Sequence, residues 1–235
     1  MGSGCIGTIV RLAIVLGLLS ACSQDDANPV TAAGAGDEIA VMDFTEPFPL
    51  DPPPDGWRHR TFWTRPAMQI AFAEKDGVKA LRCETDGSGS IFGRNADVAL
   101  ADYPLLTWRW YVELPIDSDL DEATEAGDDH PARLFIRIDD SAGEERYLEI
   151  IWSNRKYAPG DYKYIGDFPH YVANGHDENA GRWHDEQVDL LAIYRTITDR
   201  DDAPRVKLIA IFCDSDDTDS RSIAYFADVR LRRGG

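Results

Sequence analysis

Positive charge is what this sequence has least of. Its 24 Lys and Arg face 42 Asp and Glu, a formal charge of −18, and no basic stripe occurs anywhere along it. Phosphate affinity comes from clustered Lys and Arg, so the balance argues against nucleic acid as a partner. Cysteine is scarce as well, four in 235 residues, which rules out a disulfide-dense scaffold. The longest apolar run, Leu12 to Leu19, is too short for a comfortable membrane span. No Gly-x-Ser-x-Gly elbow, phosphate loop, dinucleotide fingerprint or helical His-Glu-x-x-His pair is present, so a strong enzyme signature is missing. The composition is nonetheless that of a folded protein: 43% hydrophobic and 28% charged residues are wrong for a disordered chain.

What is there begins at the N-terminus. The apolar run follows Arg11 and leads through Ser20 and Ala21 to Cys22, the n-region, h-region and cleavage-site order of a secretory signal. Leu19-Ser20-Ala21-Cys22 also resembles the bacterial lipobox, which implies removal of residues 1–21 and acylation of Cys22. The alternative is plain cleavage near Ala21 with an incidental cysteine. Ser23, rather than Asp, follows the cysteine, and in the lipoprotein sorting pattern that implies the outer membrane, facing the periplasm. Residues 22–38 then read as the lipidated cysteine and a flexible tether rich in Ala, Gly, Asp and Asn. Residues 39–235 read as a single domain. Its cysteines, Cys83 and Cys213, either pair in an oxidising compartment or stay free in apolar strands; the sequence leaves both open.

Within the domain the dominant period is two. In Thr107 to Leu114 the residues Trp108, Trp110, Val112 and Leu114 share one face, with Arg109 and Glu113 on the other. Leu134 to Ile138 alternates likewise, and Ile223 to Leu231 repeats the pattern with Tyr225, Ala227 and Val229 inward. Val206 to Cys213 is apolar on both faces and reads as a central strand. Tyr147 to Trp152 is another strand. Ala80 to Glu84 is expected to pair with Ser90 to Phe92 around the Asp86-Gly87-Ser88-Gly89 turn. One short helix is expected near 188–197, where Gln187, Leu190, Leu191 and Tyr194 share a helical face. The pattern predicts an all-β fold, an antiparallel β-sandwich.

Several motifs recur at joint spacings: Leu106-Thr107-Trp108-Arg109-Trp110, Gly127-Asp128-Asp129-His130-Pro131-Ala132-Arg133-Leu134, the Trp152 strand, and Gly181-Arg182-Trp183. Cys213-Asp214-Ser215-Asp216-Asp217-Thr218 follows, with Ala224 to Val229 behind it. Together they resemble the bacterial domain-of-unknown-function family 3047 over about Phe44 to Leu231. That family carries no established activity to transfer. The closing strand, Tyr225 to Leu231, is also similar to the last strand of carbohydrate-binding jelly rolls, which implies a jelly-roll or galactose-binding-like sandwich.

Four constellations carry candidate chemistry. Asp129 and Arg133 flank the start of a strand, where a carboxylate and a guanidinium either grip sugar hydroxyls or form a buried anchor. Asp214 to Asp219 packs four carboxylates into six residues, either a Ca²⁺ loop or a solvated acidic hairpin, with the hairpin favoured. Asp214, Asp216 and Asp228 are the candidate metal ligands, though an edge salt bridge is the preferred account of Asp228. His176-Asp177-Glu178 and His184-Asp185-Glu186 read as exposed loops. Aromatic faces stack on the apolar faces of sugars, so Trp63, Tyr162, Tyr164 and Trp183, set in polar segments, join Asp129 and Arg133 as candidate binding residues. The Tyr157 to Tyr164 stretch is the best candidate for a ligand-facing loop, the alternative being a loop packed over the core by its own aromatics.

The reading is an envelope lipoprotein whose partners are the lipid bilayer, through Cys22, and a glycan held by the sandwich. No cofactor is expected; a structural Ca²⁺ in the acidic loop is the one candidate, with the solvated hairpin favoured over it. Two alternatives stand: a polysaccharide hydrolase or lyase using Asp129 or Glu149, and a non-catalytic envelope scaffold.

Overall fold

A computed structural model describes residues 27–234. The signal run and the candidate acylation site, Cys22, lie outside the described residues. Two sheets face each other. The larger runs in the order β1 (Val30–Thr31), β6 (Gly89–Ala99), β13 (Arg205–Asp214), β8 (Arg133–Asp139), β9 (Glu145–Ser153), β11 (Phe168–Gly175) and β10 (Tyr162–Ile165), with β3 (Trp57–Thr61) also pairing β6. The smaller runs β12 (Trp183–Asp189), β7 (Leu105–Leu114), β14 (Arg221–Arg232), β5 (Val78–Asp86) and β4 (Gln69–Lys75), with β2 (Glu38–Met42) also pairing β14. The sandwich is mixed rather than purely antiparallel, because β1 lies parallel to β6 and β11 parallel to β9.

The doubly apolar stretch is the central strand β13, flanked by β6 and β8, with Ile209 and Ile211 in the inter-sheet core and Ala210 and Phe212 on the outer face. Trp108 and Trp110 are in the core, where Trp110 meets Trp152 edge-on at 5.8 Å. Cys83 of β5 and Cys213 of β13 form a disulfide that joins the two sheets through this core, resolving the open question of their pairing. The expected helix is α1 (Leu190–Thr198). Asp189 caps it by accepting from the Ala192 amide, and Leu190, Ile193 and Tyr194 are buried. Residues 28–36, assigned to the tether, lie against the domain. Arg94 Nη1 donates to the Asn28 carbonyl, Tyr103 Oη donates to the Gly36 carbonyl, and Ala32 and Ala35 pack on the core.

Four expectations need correction. The Gly87 turn does not make a hairpin, since β5 and β6 belong to different sheets and the turn carries the chain across the sandwich. Tyr225 and Ala227 pack on the outer face of the small sheet while Val229 packs inside, because a β-bulge between Ala227 and Arg230 switches the phase of β14. A second register shift at Ile223/Ala224 leaves Leu114 against Ile223 in that same outer cluster. Finally, His184-Asp185-Glu186 is part of β12 rather than a loop: His184 stacks edge-on against Trp152, and Glu186 accepts from Trp110 Nε1.

Candidate functional site

Two regions concentrate chemistry, one inside the rim of the large sheet and one on the open face of the small sheet.

The first is built around Arg133. As the first residue of β8 it points to the outer face, and its guanidinium, 2% exposed, lies 4.5 Å over the Phe212 ring. Arg133 Nη1 donates to Glu149 Oε2 at 2.8 Å, and Nη2 donates to Asp214 Oδ1 and to the Asp128 carbonyl. Lys163 of β10 adds a second buried cation, donating to Asp128 Oδ1 and, at 2.9 Å, to His130 Nε2. Since that nitrogen accepts, His130 Nδ1 carries the proton and donates to the Trp152 carbonyl at 2.9 Å. Burial, reinforced by Lys163, lowers the His130 pKa to about 4, so the ring stays neutral. His170 Nε2 lies 3.3 Å from Glu149 Oε2 and 3.5 Å from Asp128 Oδ1.

Burial alone would raise the Glu149 pKa, but Arg133 and His170 outweigh it and hold it at about 2. Burial likewise works against the charge of Arg133, and Asp214, Glu149 and Asp128 more than restore it. Asp214 goes the other way: burial raises its pKa, and the neighbouring Asp129 and Glu149 carboxylates add to the effect of burial against the pull of Arg133. At the rim, partial desolvation, then Asp216 and Asp129, lift Asp217 to about 6.

Asp129 and Arg133 do not pair with each other. Asp129 Oδ2 accepts from the Thr218 amide and hydroxyl, both at 2.6 Å, tying the 128–130 segment to the loop after β13. Both side chains are buried, as is Glu149, so the carboxylates considered for an enzyme, Asp129 at 0% and Glu149 at 4% exposure, lie beneath the surface. Asp129, Asp214 and Asp216 each bring one carboxylate oxygen within 4.8 Å of the others. Asp228 does not join them. It lies on the other sheet, 4.0 Å from Arg109 and 3.6 Å from Arg230, in keeping with the salt-bridge reading.

The second region is an open groove of about 530 Å³ over the small sheet. Outward side chains line it: Thr107 and Arg109 from β7, Asp185 and Gln187 from β12, Asp228, Arg230 and Arg232 from β14, and Glu38 from β2. The β14 bulge shapes it, with Asp228 held at φ +52° between residues of opposite facing. Arg109 pairs with Asp185 at 2.8 Å and Arg230 with Glu38 at 3.0 Å. Beside the groove one rung of the sheet carries Trp183, Tyr111 and Tyr225, with Arg109 5.1 Å over the Trp183 ring and Lys75 4.7 Å over Tyr111.

Of the expected aromatic binders only Trp183 is near this groove. Trp63, 97% exposed, follows β3 near one side of the large sheet, while Tyr164, 49% exposed, is on the opposite edge strand β10. Tyr162 meets Tyr171 edge-on at 5.2 Å and packs against the core. The Tyr157–Tyr164 stretch is thus partly strand. Arg109, Arg230 and Lys163 were not singled out in the sequence. Outward arginines on a strand read as ordinary solvated positions, and Lys163 gave no sign that a lysine would be buried there.

The fold is that of a two-sheet β-sandwich. Residues 55–230 match the family described as a protein of unknown function, DUF3047, and the chain belongs to that family. No curated protein matches the chain. Among solved structures it is similar to the family 11 carbohydrate-binding module of the cellulosomal cellulase Lic26A-Cel5E of Clostridium thermocellum. That likeness has 7% identity and a TM-score of 0.42, and covers 83% of this chain and 94% of that one. It is also similar to the xyloglucanase domain of NopAA from Sinorhizobium fredii, solved with cellobiose, at 13% identity and a TM-score of 0.42 over 77% and 94% of the two chains. A module specific for non-crystalline cellulose, CBM28, is 12% identical with a TM-score of 0.39 over 75% and 87%.

Proposed function

We propose that this protein is an exported envelope lipoprotein, anchored through acylated Cys22 at the outer membrane and facing the periplasm, whose sandwich binds a glycan in the polar groove of the small sheet. The groove carries the reading. Its volume suits a few sugar rings, and its walls alternate guanidinium, carboxylate, amide and hydroxyl groups, the planar donors and acceptors that hold sugar hydroxyls in bidentate pairs. The ion pairs inside it are partly exposed, worth about 0–1 kcal/mol each, so sugar hydroxyls can replace them cheaply. Trp183 and Tyr111 supply an aromatic border. The inter-sheet disulfide supports export, because such bonds persist in oxidising compartments.

The test of the groove is retention of the full chain on a panel of insoluble polysaccharides, including cellulose, xyloglucan and cell-wall glycan. Wild type is expected to be retained by at least one. Arg109→Ala and Arg230→Ala are expected to lose about tenfold in affinity, roughly 1.4 kcal/mol, with melting nearly unchanged. No retention of wild type, or equal retention by both variants, refutes the groove. The anchor is tested separately: Cys22→Ser should move the protein from the membrane to the soluble fraction, since the acyl chains supply the attachment. Unchanged partitioning would remove the lipoprotein part.

A further inference from the structure

We propose that Asp129, Asp214 and Asp216 form a calcium site inside the rim of the large sheet; nothing in this rests on the glycan reading. Two oxygens bound to one Ca²⁺ lie at most roughly 5 Å apart, twice the Ca–O distance, and these three carboxylates already meet that limit without rearrangement. The decisive observation is Asp129. The residue is wholly buried, and Thr218 satisfies Oδ2 with two hydrogen bonds, while Oδ1 has no hydrogen-bond donor among the described residues. A buried carboxylate oxygen left without a donor is costly, and natural proteins seldom keep one without an ion or other partner. Ser215 Oγ and Asn154 Oδ1, both buried in the same neighbourhood, also lack partners among the described residues. Asn154 is tied to the site through its Nδ2, which donates to the Asp129 carbonyl at 2.7 Å.

Charge points the same way. Asp128, Asp129, Glu149, Asp214 and Asp216 gather around Arg133, Lys163 and Arg65, so carboxylates outnumber the permanent cations five to three. A divalent cation offsets that excess. All the available donors are oxygens, which favours a hard cation such as Ca²⁺ over zinc or copper. The backbone is built around these groups: a Cβ on Gly89 would come within 2.7 Å of Asp214 Cβ and 3.3 Å of Asp216 Oδ1, so only glycine fits there. Bound calcium would clamp the end of β13 to the 128–130 segment, one residue from the disulfide.

The full chain, dialysed against EDTA, is melted with and without CaCl₂, and bound calcium is titrated by calorimetry. At a calcium concentration about 100 times the dissociation constant, the melting temperature of wild type should rise by roughly 5–10 °C, with a smaller rise in MgCl₂. Asp129→Asn and Asp216→Asn should lose that response. If Asp129→Asn does not fold, Asp216→Asn, at the half-buried position, carries the test alone. Identical melting in EDTA and calcium, with no binding heat, overturns the site. So does a response that survives in the folded variants, which would mark diffuse binding to an acidic surface.

Discussion

Replacing Cys83 and Cys213 together with Ala is expected to lower the stability of the domain by about 4–5 kcal/mol and its melting temperature by roughly 10–15 °C. The two cysteines are 130 residues apart, so their bond closes a long loop and removes much of the freedom of the unfolded chain. Its place raises the stakes. β5 and β13 sit in different sheets, which hold together through buried side chains and not through a shared ladder of backbone hydrogen bonds, and both cysteines are buried in the interface. Either single variant should cost about as much as the double, because either one abolishes the bond. Denaturant unfolding of the three variants checks this. A loss below about 1 kcal/mol in the double variant would show that packing alone fixes the sheets.

The strands legible in the sequence were those whose two faces differ in chemistry. In β7, Trp108, Trp110 and Val112 alternate with Arg109 and Glu113, and burial follows that alternation. β13 was legible as central because it is apolar on both sides. What failed depended on the partner strand. The facing of Tyr225 and Ala227 is set by the bulge at Asp228, whose positive φ has no signature in an aspartate among strand formers. The polar run Trp183-His184-Asp185-Glu186 is a strand because its inward His184 and Glu186 find Asn174, Trp110 and Trp152 across the edge. In isolation such a run reads as a solvated loop. The acidic loop after β13 was legible as a cluster, but its meeting with Asp129 joins segments 85 residues apart, which only the tertiary fold brings together.

The Asp129–Arg133 motif shows the same limit and carries the last prediction. The spacing marked a place where charge is concentrated, and the structure gives each residue a different partner set. Arg133 is 2% exposed and holds Glu149 and Asp214 directly, so Arg133→Met should cost about 3–5 kcal/mol at neutral pH, chiefly by leaving those carboxylates buried without their cation. The pH dependence separates this from simple loss of packing. In the wild type Glu149 titrates at about 2, below its ordinary 4.5, so its contribution to stability is fully present above about pH 4.5 and fades as pH falls toward 2. In the variant the same carboxylate should titrate upward, because burial then acts without Arg133, and acid should relieve rather than harm it. The gap between the two proteins is therefore expected to be widest at pH 6–8 and to narrow steadily toward pH 3. Adding Glu149→Gln to Arg133→Met should recover part of the loss at pH 7 by removing one of the orphaned charges. Thermal unfolding from pH 3 to 8 measures all three curves. A deficit of equal size at every pH would mean that Arg133 stabilises the fold by filling space over Phe212 rather than by its charge.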